Sequence, residues 1–484
     1  EVLHQFIRVS NAVRNFLRAI GFVAEDGSID RFDLADYMDE LVAGTNVLAI
    51  HALNTTTSSD MLMIPRLIAG TAQVVTPYET GFLNVPTPGQ PNGATFQGFV
   101  GDTTFSVDRG FYTSAFSVAI TTDTPGADIY FTTDGSAPSA TNGTLYTGAV
   151  NISTTTVLRA VATMPGFASS NVDTQSYIFV ADVVTQPNNP AGFPSDWGTH
   201  TNFNAGNSTF VATADYELDP QVAAAEGTAV IENALLSLPT LSLVMDRDDL
   251  FDPATGIYSN SLEHGIDWER GVSVEYINPD GNAGFQVDAG VRAHGGASRR
   301  PWKSPKHSMR LYFREDYGPG RLEFPIFGED GLASFDRLVL RGGFNDAWQV
   351  DASSQRLQAQ YINDQFVRDS SAAMGNVAAA GRYVHLYLDG LYWGVYNIAE
   401  RMDSEFHADH FGGDPDDYDV VNHGGVVDGN NSAWNTLLSF VNGNDMANAA
   451  NYQTAAGMVD VTSLIDYMLV NFYSGTLDWP GNNW

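Results

Sequence analysis

Apolar and polar residues alternate in short segments between residues 101 and 182, and turn residues separate these segments at fairly regular spacing. A period of two residues is typical of half-buried β-strands, and short strands at regular spacing are typical of a small antiparallel sandwich. We therefore predict a β-sandwich module here, with a tight turn at Asp134-Gly135. The segments are FSVAI, DIYFTTDGSAPS, TLYTGAVNIS, TTVLRAVAT and SYIFV.

Strand and helix patterns mix in the last half of the chain, which begins at LPTLSLVMD. Residues 284–313 read as a strand, a glycine-bearing turn and a second strand that Lys306 opens. Residues 383–403 form a predicted hairpin, because Asp389-Gly390 between apolar runs is a strong turn signal. These strands belong to an α+β domain.

Two predicted helices complete that domain. Residues 353–375 have helical spacing and end at a glycine, Gly375, which favours helix termination. Residues 461–475 form an apolar helix that delivers the chain to Leu477 and Asp478. The first helix would place five apolar residues on one broad face: Leu357, Tyr361, Ile362, Phe366 and Met374.

The domain boundaries follow from these patterns. Residues 1–74 contain GTNVLAIHALN and resemble the last strands of a galactose-binding-like jelly roll, with a generic β-sandwich remnant as the alternative. Residues 75–100 are crowded with Pro, Gly and Asn and are predicted as a linker, as is the polar segment 183–235. The last domain would then span residues 236–484.

Composition narrows the classes of partner and chemistry. The 484 residues carry 23 Lys and Arg against 57 Asp and Glu, a formal net charge of −34. So acidic a surface repels nucleic acid and anionic lipid, so we expect neither as a partner. Cysteine is absent, which excludes disulfides, thiol nucleophiles and thiolate metal sites. We expect no membrane span, because no run reaches the roughly 20 apolar residues of a membrane helix.

The sandwich module resembles a known accessory domain. IYFTTDGSAPS, followed by LYTG, TTVLRAVA and SYIF, is similar to the immunoglobulin-like (Ig-like) module at the C-terminus of chitobiases and hexosaminidases. The resemblance implies an accessory role without catalysis. A spacer, or contact with carbohydrate or a cell surface, would fit that role.

The order of parts in the last domain is that of a protein kinase. A glycine turn, a strand lysine, a helix, a hairpin and a second helix lead to the spacing D-x-x-x-x-N at Asp478 and Asn483. An aspartate there would accept the proton of the attacking hydroxyl, and the amide oxygen would bind the metal that bridges the phosphates of ATP. The same spacing recurs at Asp417 and Asn422, and no His-Arg pair precedes Asp478, so spacing alone does not decide.

Several unusual motifs resemble the CotH family of secreted or surface-located atypical kinases. They are SPKHSMRLYFREDYG, LEFPIFG, FDRLVLRGGFNDAW, VHLYLDGLYWGVYNIAERMD and DWPGNNW, in the order of the family between residues 236 and 484. The resemblance implies a kinase that transfers phosphate from ATP, with Mg²⁺ or Mn²⁺, to protein hydroxyls at the bacterial surface or outside the cell. It does not identify the protein substrate.

The resemblance also implies roles for particular residues. Asp478 would be the catalytic base and Asn483 a metal ligand. Lys306 and Arg292 would bind phosphate groups, and Asp364 is a candidate partner for Lys306. The glycine turn would use Gly295, Gly296 and Ser298, and Glu400 would lie near the adenine, with an ion pair to Arg401 as the alternative. RGGFNDAW is distinctive, but Arg341, Asn345 and Asp346 have no assigned role.

Other functions remain open at this point. The acidic metal ligand that kinases carry downstream of the catalytic loop is expected beyond Trp484, so the domain would be truncated and would bind ATP poorly. A non-catalytic bacterial surface or matrix protein with a kinase-like scaffold, serving adhesion or assembly, is the main alternative. A metal site at His407 and His410, or calcium at DPDDYD, is a further possibility.

Overall fold

A computed structural model gives the structure of the protein, and it describes residues 19–23, 29–32, 66–68, 82–83, 95–328, 331–476 and 479–481. The chain divides into two compact units. The first comprises residues 1–102, 122–128 and 162–171, and the second comprises the remainder. The chain is β-rich and multidomain, with an Ig-like module ahead of the last domain.

The first unit contains short antiparallel strands. β1 (Ala19–Val23), β2 (Ile29–Phe32) and β3 (Arg66–Ile68) form one sheet in the order β2-β1-β3. β4 (Phe82–Leu83) pairs with β5 (Thr95–Phe96), inside the segment predicted as a linker. The rings of Phe82 and Phe99 lie 4.8 Å apart beside this pair.

The Ig-like module contains nine short strands, where the sequence showed five alternating segments. Its largest sheet has the order β11-β10-β13-β14-β7, and β12 pairs with β8. Gly135 has a φ of 87°, and the carboxylate of Asp134 accepts a hydrogen bond from the Ser136 amide, so the predicted turn is confirmed. The strands are β6 (Thr103–Phe105), β7 (Gly110–Phe111), β8 (Phe116–Val118), β9 (Ile120–Thr122), β10 (Asp128–Thr132), β11 (Thr144–Leu145), β12 (Val150–Ile152), β13 (Thr156–Thr163) and β14 (Asp173–Ile178).

The segment predicted as a linker at 183–235 is folded instead. Trp197 and Tyr216 are buried in the main hydrophobic core, and the Trp197 indole donates to the Tyr216 hydroxyl at 3.1 Å. Polar residues dominate this segment, and its few buried aromatic residues are not regularly spaced. The sequence therefore shows no periodic pattern that would predict its strands and helices. Its elements are α1 (Val180–Val184), β15 (Asp196–Asn202), β16 (Ser208–Thr213), α2 (Pro220–Glu226) and α3 (Thr228–Leu235).

A closed barrel of seven strands forms the centre of the last domain, in the order β17-β18-β19-β20-β23-β25-β24. It closes through parallel pairing of β17 with β24, and its other pairs are antiparallel. Alternate side chains such as Leu243, Val274 and Leu340 fill the interior. The strands are β17 (Thr240–Val244), β18 (Arg270–Ile277), β19 (Phe285–His294), β20 (Ser308–Tyr312), β21 (Leu322–Glu323), β22 (Ser334–Phe335), β23 (Arg337–Arg341), β24 (Gly381–Leu388) and β25 (Leu391–Glu400).

The hairpin prediction for 383–403 is confirmed. The turn between β24 and β25 has Asp389 at a φ of 46° and Gly390 at 83°, which is the left-handed pair that a two-residue hairpin turn requires. Lys306, by contrast, does not open a strand, because β20 begins two residues later at Ser308.

The Ig-like module packs on the outer surface of β17 and β18. The carboxylate of Glu275 accepts hydrogen bonds from the backbone amide (3.0 Å) and the hydroxyl of Ser176, and Arg109 Nε lies 3.5 Å from it. Ser176 also hydrogen-bonds Ser242 at 2.8 Å. Glu275 is fully buried, so this polar contact excludes water. The part of the module that belongs to the second unit therefore packs directly on the barrel.

The helix predicted at 353–375 is divided into two helices, α5 (Ser353–Arg356) and α6 (Asn363–Ala373). A short helix earlier in the domain, α4 (Arg247–Phe251), follows β17. Tyr361 has a φ of 63°, which interrupts the helix. The Asp346 carboxylate accepts bonds from the backbone amides of Gln360 (2.7 Å) and Asn363 (3.0 Å), so it holds the interruption and caps the start of α6. The predicted apolar face is consequently exposed at Leu357, Ile362, Phe366 and Met374, and Gly375 ends the helix as expected.

Helices follow the barrel. The predicted helix at 461–475 is confirmed as α10, and Gly475 ends it in the left-handed conformation. Most of its apolar side chains are exposed, Phe472 at 63% and Tyr473 at 83%. The elements are α7 (Ser404–Phe411), β26 (Val420–Asn422), β27 (Gly425–Asp428), α8 (Ser432–Gly443), α9 (Ala449–Ala456) and α10 (Val461–Ser474).

Candidate functional site

Four adjacent strands, β19, β20, β23 and β25, carry polar and charged side chains on the outer surface of the barrel. Leu311 and Leu340 point into the core, so their neighbours along the strands point outward. The register places Arg292 opposite Arg310, Arg310 opposite Val339, and Val339 opposite Ala399. We call this surface the outer sheet face. Arg292 lies on it, and the glycine turn follows β19 at its edge.

An ion pair joins the outer sheet face to α6. Arg341, the last residue of β23, places Nε 3.0 Å from Asp364 Oδ2 and donates from Nη2 to Asp364 Oδ1 at 3.1 Å. Arg368, one helical turn after Asp364, shares the same carboxylate at 3.1 Å and donates to the side chain of Asn397 on β25. α6 is therefore held against β23 and β25 by charged hydrogen bonds. The sequence marked Arg341 as distinctive but did not reveal this partner.

Lys306 lies near the same end of the barrel but is not paired with Asp364. Its Nζ donates to the Val395 carbonyl at 2.6 Å and lies 4.5 Å from the ring centroid of Tyr396 and 5.5 Å from that of Tyr361. Burial lowers the pKa of the Lys306 ammonium to about 7, because no carboxylate of the described residues lies within ion-pair distance. The proposed contact with Asp364 is not formed, since Arg341 occupies that carboxylate.

The glycine turn between β19 and β20 has a defined geometry. Gly295 has a φ of 107°, and a Cβ on it would lie 2.0 Å from Ser298 Oγ, so only glycine fits. Ser298 Oγ donates to the His294 carbonyl at 3.4 Å. Arg299 anchors the turn from below through the carbonyls of Gly295 and Glu263. Gly296 is exposed and begins a 3-10 turn at Ala297–Arg299.

Arg292 is engaged in a buried cluster. Its Nε donates to Glu269 Oε2 at 2.6 Å, and its guanidinium lies 4.4 Å from the centre of the Tyr312 ring. Arg314 Nε lies 3.5 Å from the other Glu269 oxygen. If Arg292 bound a phosphate group, its guanidinium would have to contact Glu269 and the phosphate together. The sequence-based expectation did not include this contact with Glu269.

Glu400 lies at the end of β25, where the chain leaves the barrel. Its carboxylate accepts from the Ala380 amide at 2.7 Å and contacts His410 Nε2 at 3.0 Å. The alternative ion pair with Arg401 is not formed: the Glu400 partners that the structure describes are Ala380 and His410. Glu400 is buried and holds the exit segment to α7.

The two residues expected to carry the chemistry, Asp478 and Asn483, lie outside the described residues. The neighbouring Trp479 is described, and its ring lies 5.1 Å from that of Phe472 and 6.1 Å from that of Tyr467 on α10. α10 in turn contacts α6, where the Asn376 side chain donates to Asp466 at 3.2 Å just after α6 ends. Trp479 is thus connected through α10 to the helix that binds Arg341.

The rival metal sites are not assembled. Within the part of the chain that the structure describes, no group of three or more His, Asp or Glu side chains could hold a metal ion. His407 Nδ1 donates to the Asp403 carbonyl at 2.6 Å, and His410 binds Glu400. Asp414 and Asp417 cap each other's backbone in a short turn rather than converging on one point.

Comparison with known families agrees with the two resemblances drawn from the motifs. Residues 291–484 match the family described as CotH kinase protein, and residues 107–174 match the chitobiase/beta-hexosaminidase C-terminal domain. The match to the CotH family indicates a kinase-like protein. No curated protein matches the chain. No helix in the described ranges is long and apolar enough to cross a membrane.

Proposed function

We propose that the last domain is an atypical kinase that transfers the terminal phosphoryl group of ATP to a protein hydroxyl. Its nucleotide would lie against the outer sheet face, between the glycine turn at Gly295 and the segment that carries Asp478. The match of residues 291–484 to CotH kinase proteins supports the reaction class. The order of strands and helices in the structure also supports the proposal, together with the ion pair between β23 and α6.

The observation that carries the proposal is the pair of Arg341 with Asp364. In protein kinases a lysine on the third strand of the sheet pairs with an acid on the helix that follows, and this pair orients the phosphates. Here β19 and β20 flank the glycine turn, β23 supplies the cation, α6 supplies the acid, and β24 and β25 lead to the exit segment. Arg341 therefore occupies the position that the sequence-based expectation gave to Lys306.

The residues divide the work as follows. Asp478 would accept the proton of the attacking hydroxyl, whose oxygen forms a bond to the γ-phosphorus while the bond to the ADP oxygen breaks. Asn483 would bind the magnesium or manganese ion, which supplies charge neutralisation between the phosphates. Arg341, held by Asp364, would orient a phosphate by a bidentate contact. Lys306 would add its charge once an anion raises its pKa from about 7.

The proposed location follows the same reasoning. CotH-type kinases act outside the cell or at its surface, and a chain with net charge −34 and no cysteine is compatible with that location. The Ig-like module would then provide contact with carbohydrate or a surface, or simply support the barrel. Its packing around Glu275 favours support.

Turnover of radiolabelled ATP by the full-length protein, which would supply the acidic metal ligand expected beyond Trp484, tests the proposal with a hydroxyl-bearing protein acceptor. We expect phosphoryl transfer that Asp478→Ala reduces roughly 10²- to 10⁴-fold, because the base is lost. Asp316→Ala, which removes an exposed carboxylate away from α6 and α10, is the matched control and should retain activity. If Asp478→Ala transfers phosphate as fast as the parent, the assignment of the base is wrong. If the folded parent shows no transfer, the non-catalytic scaffold replaces the kinase.

A further inference from the structure

The outer sheet face contains two arginines that lie beyond ion-pair distance of every carboxylate of the described residues, although Asp403 and Asp428 act on Arg401 from further away. Most arginines nearby are paired: Arg292 with Glu269, Arg337 with Asp336 and Asp403, and Arg341 and Arg368 with Asp364. Arg310 and Arg401 are the exceptions, since neither makes an ion pair with any residue that the structure describes. In a chain with 57 acids and 23 basic residues, unpaired arginines at half-buried positions need a reason.

Both guanidinium groups have donors without acceptors. The Nε atoms of Arg310 and Arg401 are buried and have no hydrogen-bond partner among the described residues. Arg310 Nη2 donates to the ring nitrogen Nδ1 of His294 at 2.9 Å, a neutral acceptor. A buried donor without a partner is destabilising, so a ligand that accepts hydrogen bonds from both arginines would offset that cost.

The three side chains influence one another electrostatically. Burial, together with the positive charges of Arg310 and Arg401, lowers the pKa of the His294 imidazole to about 2, so His294 is neutral at neutral pH. Burial and the nearby charge of Arg310 also lower the pKa of the Arg401 guanidinium, and the carboxylates of Asp403 and Asp428 offset this only in part. Like charges held close together in a half-buried position repel, and an anion between them would remove the repulsion.

The floor beside Arg310 is small and apolar, and continuing the register of Leu338 with Glu400 places Arg337 beside Arg401. Arg310 on β20 lies opposite Val339 on β23, which lies opposite Ala399 on β25, and Arg401 follows two residues after Ala399. Two strand spacings, roughly 10 Å, separate the strands that carry the arginines, a span that two guanidinium groups reaching inward can bridge. His294 lies at the edge of this floor, on the side of the glycine turn.

We propose that Arg310, Arg401 and His294 form a binding site for a phosphate-bearing anion on the outer sheet face. The arginines donate charge-assisted hydrogen bonds to the phosphate oxygens, and the neutral His294 ring fixes the orientation of Arg310. The existence of the anion site does not depend on the proposed function. The identity of its occupant as the phosphate chain of a nucleotide does rest on that function.

Calorimetric titration of the full chain with inorganic diphosphate tests the site. We expect saturable binding that weakens with salt, and Arg310→Gln and Arg401→Gln should each raise the Kd at least ten-fold. Arg356→Gln, which removes the same charge from an exposed position on α5, is the matched control and should change the Kd less than two-fold. Because Arg310→Gln removes the repulsion between Arg310 and Arg401 without breaking an ion pair, its thermal midpoint should equal or exceed that of the parent. That result separates lost binding from misfolding.

Competition identifies the source of the phosphate group. Displacement of diphosphate by ATP and ADP, but not by adenosine, assigns the site to the nucleotide. Diphosphate that ATP cannot displace keeps the anion site but assigns it to another phosphorylated ligand, whatever the turnover assay shows. The proposal is overturned if the parent binds no diphosphate, or if Arg310→Gln and Arg401→Gln bind it within two-fold of the parent.

Discussion

Replacing Asp389 with asparagine should stabilise the protein at alkaline pH. Asp389 is the first residue of the turn between β24 and β25, and Oδ1 accepts a hydrogen bond from the Met245 amide at 2.9 Å. The other oxygen, Oδ2, is buried and has no hydrogen-bond partner in the part of the chain that the structure describes. Asp389 is 5% exposed, and this burial raises the pKa of its carboxyl group to about 7.

The sign of the effect follows from proton linkage. The ordinary pKa is 3.8 and that in the fold is about 7, so between these values the folded protein holds a proton that the unfolded chain has released. Stability from this group is complete below pH 3.8 and falls as the pH rises towards 7. The difference of about three pKa units corresponds to roughly 4 kcal/mol above neutral pH, as an upper limit.

Asparagine should retain everything the turn requires. Its amide oxygen can accept the same bond from Met245, it tolerates the left-handed conformation, and Asn-Gly is a preferred two-residue hairpin turn. We expect Asp389→Asn to gain about 1–4 kcal/mol in free energy of unfolding near pH 8.5 and less than about 0.5 kcal/mol near pH 4. Urea unfolding followed by tryptophan fluorescence measures this, because Trp197 and Trp393 pack in the barrel core.

Asp267→Asn provides the control, because Asp267 is exposed and the change in charge is the same. It should leave the dependence of stability on pH unchanged. If Asp389→Asn and the parent lose stability in parallel between about pH 4 and pH 8.5, the buried carboxyl group does not titrate as the geometry requires. A loss of stability at all pH values would instead show that the ionised carboxylate is needed by Arg159 or Arg247, the nearest cations.

The sequence correctly predicted the structural features that depend on residues close together in the chain. The turns at Asp134-Gly135 and Asp389-Gly390, and the helix ends at Gly375 and Gly475, follow from the conformational freedom of glycine and the local bonds of aspartate. These features require no knowledge of the rest of the fold.

Features that depend on distant residues could not be predicted in this way. α5 and α6 are separated because Asp346, which precedes both, binds the amide groups between them, and a periodic pattern contains no trace of such a bond. The closure of the barrel depends on parallel pairing of β17 with β24 across more than a hundred residues. The partner of Asp364 is Arg341 rather than Lys306 for the same reason, since helical spacing shows that a residue lies on a helix but not what it faces.

Two further predictions concern the module interface and the ion pair on α6. Glu275→Ala should lower the free energy of unfolding by about 3–5 kcal/mol, because it leaves Arg109 and Ser176 without their acceptor. Glu275→Gln keeps one acceptor oxygen and should lower the free energy of unfolding by less. If urea unfolding shows equal effects for the two variants, the buried carboxylate does not hold the module on the barrel by its charge. Asp364→Asn should lower kcat/KM for ATP turnover at least ten-fold by releasing Arg341. Asp369→Asn, an exposed position on a different face of α6, should change it less than two-fold. Equal activity of the two variants would remove the ion pair from the mechanism.

The charge distribution explains how the module and the site can share one barrel. On β18 and its neighbours the barrel presents acids, Glu275 and Asp288, and the module supplies the cations Arg109 and Arg159 that face them. On β19, β20, β23 and β25 the barrel presents arginines instead, and α6 neutralises only part of them. The module packs on the strands that bear acidic residues because its arginines face those acids. It therefore does not compete with an anion for the strands that bear arginines. An acidic surface elsewhere then favours the approach of anions to the outer sheet face over the rest of the molecule, which repels them.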